Sequence, residues 1–228
     1  VANPQLTPNI PDMNMNSLIE GLLGYVCLVI ALTFHEFAHA WAAWKCGDDT
    51  SRLQGRVSLN PIVHMDLLGT VILPLMMIFL SSSGSGLAKY LIGWGKPVPV
   101  NPYNLNNRRR DDTLIALAGP AINLALAVVT MGIAKVFSIL KLDSMVEVMF
   151  LMTVLNLVLC FFNLLPVPPL DGSHVIKNAI GMSEELYMRL SQFGFFALIL
   201  IIQIPAVRGL LSACRDVTLT VLVKLYGF

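Results

Sequence analysis

The chain has 228 residues, of which 56% are apolar and 13% charged, with a mean hydropathy of +0.72. A soluble domain carries roughly 25% charged residues to cover its surface, so a water-soluble globule is excluded, as are a disordered chain, a collagen and a disulfide scaffold. Lys and Arg total 15 against 14 Asp and Glu, a net charge of +1 that offers nothing to a nucleic acid.

The remaining class is a polytopic helical membrane protein, with the lipid bilayer as its surroundings. Residues 1–16 are polar, contain three prolines and read as an extramembrane tail. A long apolar helix is predicted over 17–44, with Ser17 as N-cap, Glu20 three residues on, and Gly47, Asp48 and Asp49 ending it. Residues 52–61 alternate in the manner of a short strand or hairpin outside the hydrocarbon. The apolar run 67–80 carries Pro74 and is too short to span comfortably; a Ser/Gly-rich stretch over 81–86 and a weaker apolar piece to Trp94 follow.

Residues 97–102 read as extended and 108–112 as a solvated charge cluster. A spanning helix is predicted over 113–140, with small residues at Ala118, Ala121 and Ala125 that permit close packing. A tight loop at 141–144 leads to a second clear span over 145–165, which stops at Pro166-Val-Pro-Pro169. A last apolar run, 193–204, is broken by Pro205, and the tail is amphipathic, with Arg208, Arg215 and Lys224. The cysteines Cys27, Cys46, Cys160 and Cys214 form no CxxC pair and read as packing residues.

The chemistry lies in the first helix. Glu and His are scarce, five and four in the chain, yet His35-Glu36-Phe37-Ala38-His39 stands inside an apolar run. Two His four apart share one helix face. That spacing lets both imidazoles bind one Zn²⁺, with the intervening Glu placed to take a proton from water. An accidental match in this composition has a probability of roughly one or two in a thousand, and unpaired polar side chains in hydrocarbon are costly. A hydrolytic zinc site wants three protein ligands and an open position. Asp171 qualifies as the third, because the prolines before it force an extended backbone at the end of a span. Its alternative role is to cap the next helix; with His35 and His39 present, ligation is the preferred reading.

Together these residues resemble the site-2 protease family of intramembrane zinc metalloproteases, in its small prokaryotic form without a PDZ-like insertion. The resemblance rests on His35-Glu36-x-x-His39, on Asn163-x-x-Pro166-x-Pro168-Pro169-Leu-Asp171-Gly172, and on Gly119-Pro-Ala-Ile-Asn123 in a middle span. Gly55-Arg-Val-Ser-Leu-Asn60-Pro61 and Gly93-Trp-Gly-Lys96-Pro-Val-Pro-Val-Asn101-Pro add to it, so that it covers about 17–175. It implies zinc as cofactor, His35, His39 and Asp171 as ligands, Glu36 as general base, and Asn163 in contact with the substrate or the oxyanion. The implied reaction is hydrolysis of a peptide bond within or beside a transmembrane segment, in regulated intramembrane proteolysis. Asn163 has an equal alternative, hydrogen bonding to carbonyls at the broken helix end. His64, Asp66, Asn123 and His174 are candidates for orienting the ligands from behind, against plainer roles in capping and helix packing. The rival function is a non-proteolytic metal-binding or metal-transport protein using the same three ligands. A transporter needs polar groups along a path, whereas here they cluster at one depth.

Three segments follow: a tail over 1–16, a catalytic membrane core over 17–175, and a final span with amphipathic tail over 176–228. For His39 and Asp171 to share a metal, the first span and the 145–165 span must run in the same direction, so the region 67–94 must return to the side it left, as a re-entrant or surface hairpin. The segments flanking it carry eight basic residues, Lys45, Arg52, Arg56, Lys89, Lys96 and Arg108 to Arg110, which places the active-site mouth at the cytoplasm of a prokaryotic cell membrane. The expected fold is therefore an all-α polytopic membrane protein of about four spans, with that hairpin and a small β element near the cytoplasmic side.

Overall fold

The computed structural model describes residues 14–83 and 94–228. They fall into two compact units, one drawn from residues up to Val26 and from Met65–Lys96, the other comprising Cys27–His64 and Pro97–Phe228. Helix α1, Met15–Lys45, runs through both. At 1.5 Å per residue it exceeds the roughly 30 Å of a hydrocarbon core. Its cap is Asn14, not Ser17: the Asn14 side-chain oxygen accepts from the backbone N–H groups of Asn16 and Ser17.

In the first unit, Asp66 caps a helical stretch by accepting from the N–H groups of Leu68 and Gly69. Leu67–Ile72 is wound as a π-helix and passes directly into α3, Leu73–Ser82, where Pro74 sits in the first turn. The wider winding just before Pro74 accommodates its missing donor. The Thr70 hydroxyl donates to the Trp94 carbonyl, and the Trp94 N–H to that of Gly69. The return half of the expected hairpin, 84–93 with Lys89, lies outside the described residues.

The second unit holds α2 (Thr50–Leu53), α4 (Arg108–Ile139), α5 (Asp143–Asn163), α6 (Asp171–Ala179), α7 (Glu184–Ser191), α8 (Gly194–Gln203) and α9 (Pro205–Tyr226). Among the described residues three helices, α1, α4 and α5, are long and apolar enough to cross a membrane, and a fourth span arises if α7 and α8, bent by 63°, count as one. Side chains fix the directions. His35 meets Asn123 and His39 meets Ile115, so α4 runs against α1. Asn123 meets Asn156 and Thr130 meets Thr153, so α5 runs against α4 and therefore with α1. Helix α4 is central: 44% of its apolar window is buried, against 17% for α1 and 28% for α5. Around the Thr130–Thr153 contact, Ala127, Met131, Leu157 and Leu222 make an apolar core that ties α9 to both helices.

Two sequence expectations fail outside the spans. No strand occurs among the described residues, so the small β element is not there. Residues 50–53 coil into α2, Gly55 turns the chain at φ +69°, and Pro97, Pro99 and Pro102 remove the N–H groups that a ladder would need. The cluster 108–112 is not simply solvated. Asn107 caps α4 by accepting from Arg110 N–H, Asp111 returns the bond to Asn107 N–H, and Asp111 and Asp112 are both buried.

Asp48, likewise, does more than end α1. Its fully buried carboxylate accepts from Thr50 N–H and hydroxyl, Asn101 N–H and the Asn104 amide. Burial pushes its carboxyl up, but these donors outweigh burial and hold it below its ordinary value. With Asn106 bonded to the Cys46 carbonyl, the chain between α1 and α4 leaves and returns at the same helix end.

Candidate metal centre

Helix periodicity places His35 and His39 one above the other on the face of α1 that meets α4. Each ring is oriented through its Nδ1. That of His35 donates to Asn123 Oδ1 at 2.5 Å, and that of His39 to the Ile115 carbonyl at 2.7 Å. That carbonyl lies one residue before Ala116, whose usual helical donor is missing because Pro120 has no N–H. Asn123, fully buried, donates in turn to Asn156 Oδ1 at 2.8 Å, and Asn156 donates to the Met152 carbonyl, so the ring of His35 is referenced to both α4 and α5.

With both Nδ1 atoms protonated, both Nε2 atoms present lone pairs. They lie 3.0 Å apart, and the Asp171 carboxylate closes the triangle at 3.2 Å from His35 and 3.3 Å from His39. Asp171 Oδ2 is buried without a hydrogen bond. Three converging electron-pair donors repel one another unless a cation joins them. Zinc–ligand distances of about 2.0–2.2 Å imply tetrahedral edges of about 3.3–3.6 Å, close to the observed triangle. His35, His39 and Asp171 are thus positioned to bind a metal ion.

Asp171 arrives from just beyond the C-terminal end of α5, the end that lies level with the C-terminal part of α1. Helix α5 ends at Asn163, the chain crosses Leu164–Leu170, and Asp171 opens α6, where the helix cap is Leu170 rather than Asp171. Gly172 permits this start, because a Cβ there would collide with the Leu164 carbonyl. Helix α6 is then clamped to α4: Asp112 accepts from His174 Nδ1–H at 3.1 Å, Lys177 Nζ at 2.8 Å and the Asn178 amide at 2.7 Å.

The sequence comparisons agree with this donor set. The sequence matches Peptidase family M50 over residues 23–143 and 131–202. The chain belongs to that family, the family of the site-2 proteases. It is 32% identical to "Putative zinc metalloprotease YwhC" of Bacillus subtilis (strain 168), over 84% of this chain and 86% of the relative. It is 30% identical to "Putative zinc metalloprotease Rip2" of Mycobacterium tuberculosis (strain ATCC 25618 / H37Rv), over 79% and 66%, and 31% identical to the protein of that name from Mycolicibacterium smegmatis (strain ATCC 700084 / mc(2)155), over 81% and 70%. No solved structure matches. The protein is an M50 zinc metalloprotease and an integral membrane protein whose relatives are bacterial.

Within this M50 site, Glu36 lies in the electrostatic field of His39, His35, Asp171 and Arg56. Arg56, which the alternating pattern over 52–61 does not single out, is a further charged residue of this site. It is 3% exposed, and burial pulls its guanidinium below the ordinary value, a shift that the charge of Glu36 opposes only in part. A lone Arg directly after a turn glycine, in a short polar connection, was the available signal. The remaining candidates sit elsewhere. His64 is buried and its Nε2–H donates to the Ser58 carbonyl; Asp66 caps the π-helix; with both ligand Nδ1 atoms engaged by Asn123 and Ile115, neither has a ligand ring to orient. His174 faces Asp112 rather than the ligand triangle. The Asn163 amide donates to the Leu159 carbonyl at 3.0 Å, within its own helix.

Two expectations follow. Asp171→Ala should lower zinc affinity by at least tenfold, measured by competition with a chelator, and Asp171→Asn should lower it less, because an amide oxygen remains. A variant that melts earlier yet binds zinc as the parent does would return Asp171 to a purely structural role. Asn123→Leu should weaken zinc binding by about 10–100-fold, the usual cost of losing a group that orients a ligand His; unchanged affinity would show that the Asn123–His35 bond is dispensable.

Proposed function

We propose that this protein is an intramembrane endopeptidase that hydrolyses a peptide bond within or next to a transmembrane segment of a membrane-protein substrate. The reading rests on the ligand triangle, with Glu36 between the two His, held near one end of the spanning helices. His39 lies six residues before Lys45, about 9 Å along α1. That end carries an aromatic and basic belt typical of a membrane interface, with Lys45 Nζ 4.3 Å from the Trp44 ring and Arg52 against the same ring. The site is therefore deep enough to meet a substrate's transmembrane segment and close enough to the interface to admit water.

Bound zinc supplies Lewis acidity, polarising a carbonyl and making water a nucleophile near neutral pH. Glu36 takes the proton from water and passes it to the leaving amine. Asn123 and Ile115 keep both ligand rings in the tautomer that directs Nε2 inward. Arg56 sets a fixed positive charge near Glu36, where negative charge develops on the cleaved carbonyl. Asn163 stands at the end of α5 as a contact for substrate or oxyanion once its bond to Leu159 is exchanged. The purified zinc-loaded protein should cut a reconstituted transmembrane peptide inside or beside its apolar segment, with the products mapped by mass. Cleavage confined to soluble peptides would overturn the reading.

The connection between α1 and α4 starts and ends on one side of the membrane, as the expected hairpin requires, and the metal-site end of α1, α4 and α5 faces the cytoplasm, in line with its basic residues. In a chain with Cys27, Cys46, Cys160 and Cys214 replaced, single substitutions Ser58→Cys, Asn106→Cys and Ser144→Cys test this. An impermeant thiol reagent on intact cells should label only Ser144→Cys. Labelling of Asn106→Cys without Ser58→Cys would rule the hairpin out.

A further inference from the structure

Away from the metal centre, α9 packs along α5 in the opposite direction, with Leu222 in one core with Leu157 and Leu211 sharing a groove with Phe162. Between them lies a groove of about 190 Å³. Val158, Phe161 and Phe162 of α5 give it an apolar floor with Leu211, while Arg208 and Arg215 of α9 line its other wall with Ser212 between them. The spacing of 208, 212 and 215 puts these three on one helix face. Each guanidinium has five donors; Arg208 gives one to the Gln203 carbonyl and Arg215 its Nε–H to Asp216. Asp216 offsets Arg215 in part but does not line the groove, whose wall holds two cations and no acid.

The groove's depth and size narrow its occupant. Val158 is five residues from the end of α5, so the groove reaches to within about 8 Å of the end of a span, where acyl chains begin and arginine side chains extend outward to the headgroups. Its volume is below the ~300–1,000 Å³ of a site that encloses a whole small molecule, which suits one end of a longer amphiphile. We infer that this groove is a binding site for an anionic phospholipid, its phosphate held by Arg208 and Arg215 and the start of an acyl chain laid on Phe161, Val158 and Leu211. Basic pockets between membrane helices recognise acidic headgroups by this chemistry. Phe162 and Leu211 also pack against Leu165, Val167 and Leu170, the segment leading to Asp171, so an occupied groove braces the approach to the third ligand. The inference stands apart from the proteolytic reading, because its test does not measure cleavage.

The test is thermal unfolding of the full-length zinc-loaded protein in a neutral detergent, titrated with short-chain phosphatidylglycerol, short-chain phosphatidylcholine or inorganic phosphate. Phosphatidylglycerol should raise Tm saturably, and the other two should not. Arg208→Gln with Arg215→Gln should weaken the apparent affinity at least tenfold. Arg208→Lys with Arg215→Lys should keep saturable binding, which separates lost charge from a damaged helix. Lys141→Gln with Lys224→Gln, removing two charges outside the groove, should change nothing. Equal stabilisation by both lipids, an unaltered titration in the Arg→Gln variant, or an equal response to inorganic phosphate would each overturn the lipid site.

Discussion

Glu36→Gln is expected to retain zinc and to lose hydrolysis by about 10²–10⁴-fold, the usual contribution of general acid–base catalysis. The amide matches the carboxylate in shape, but it cannot accept a proton from water. None of the three ligand atoms is removed, since the metal triangle is made by His35, His39 and Asp171. Metal content should therefore stay at one ion per chain while turnover of a transmembrane peptide collapses. The loss should fall on kcat, because Glu36 acts on the proton and not on substrate binding. Near-parental cleavage by a zinc-loaded Glu36→Gln protein would take Glu36 out of the mechanism.

Gly119→Ala should be nearly as damaging, through the metal rather than the proton. A Cβ at Gly119 would strike His39 Nε2 and lie 2.6 Å from Cε1 of both His35 and His39. Neither ring can swing aside, since Nδ1 of each is tied to α4, through Asn123 and Ile115. The methyl group must push α4 away from α1 or turn the rings off the triangle. We expect zinc affinity to drop by at least the ~10–100-fold typical of losing a ligand's orientation, and stability to fall by about 1–3 kcal/mol from overpacking. Chelator competition and thermal unfolding read these two effects. Normal zinc affinity in Gly119→Ala would mean that α1 and α4 are less closely held than their polar contacts indicate.

The sequence by itself determined what depends on neighbours along the chain. Composition fixed the membrane class, and runs of apolar residues located α1, α4 and α5 to within a few residues. The helical repeat put His35 and His39 on one face, and the prolines after Asn163 marked where a carboxylate could be presented outside a helix. Local reading erred at element boundaries: Asn14 rather than Ser17 caps α1, and residues 52–53, read as the start of a strand over 52–61, belong to α2. The tertiary structure alone decided what depends on residues far apart. It brought Asn123 to His35 across 88 positions and Ile115 to His39 across 76. It set Gly119 against both rings, buried Arg56 in the field of Glu36, and closed Asp112 onto α6. A sequence pattern states which face a side chain occupies, because backbone geometry fixes that within one turn. Which other face it meets depends on how whole helices pack, and no short-range periodicity encodes that pairing.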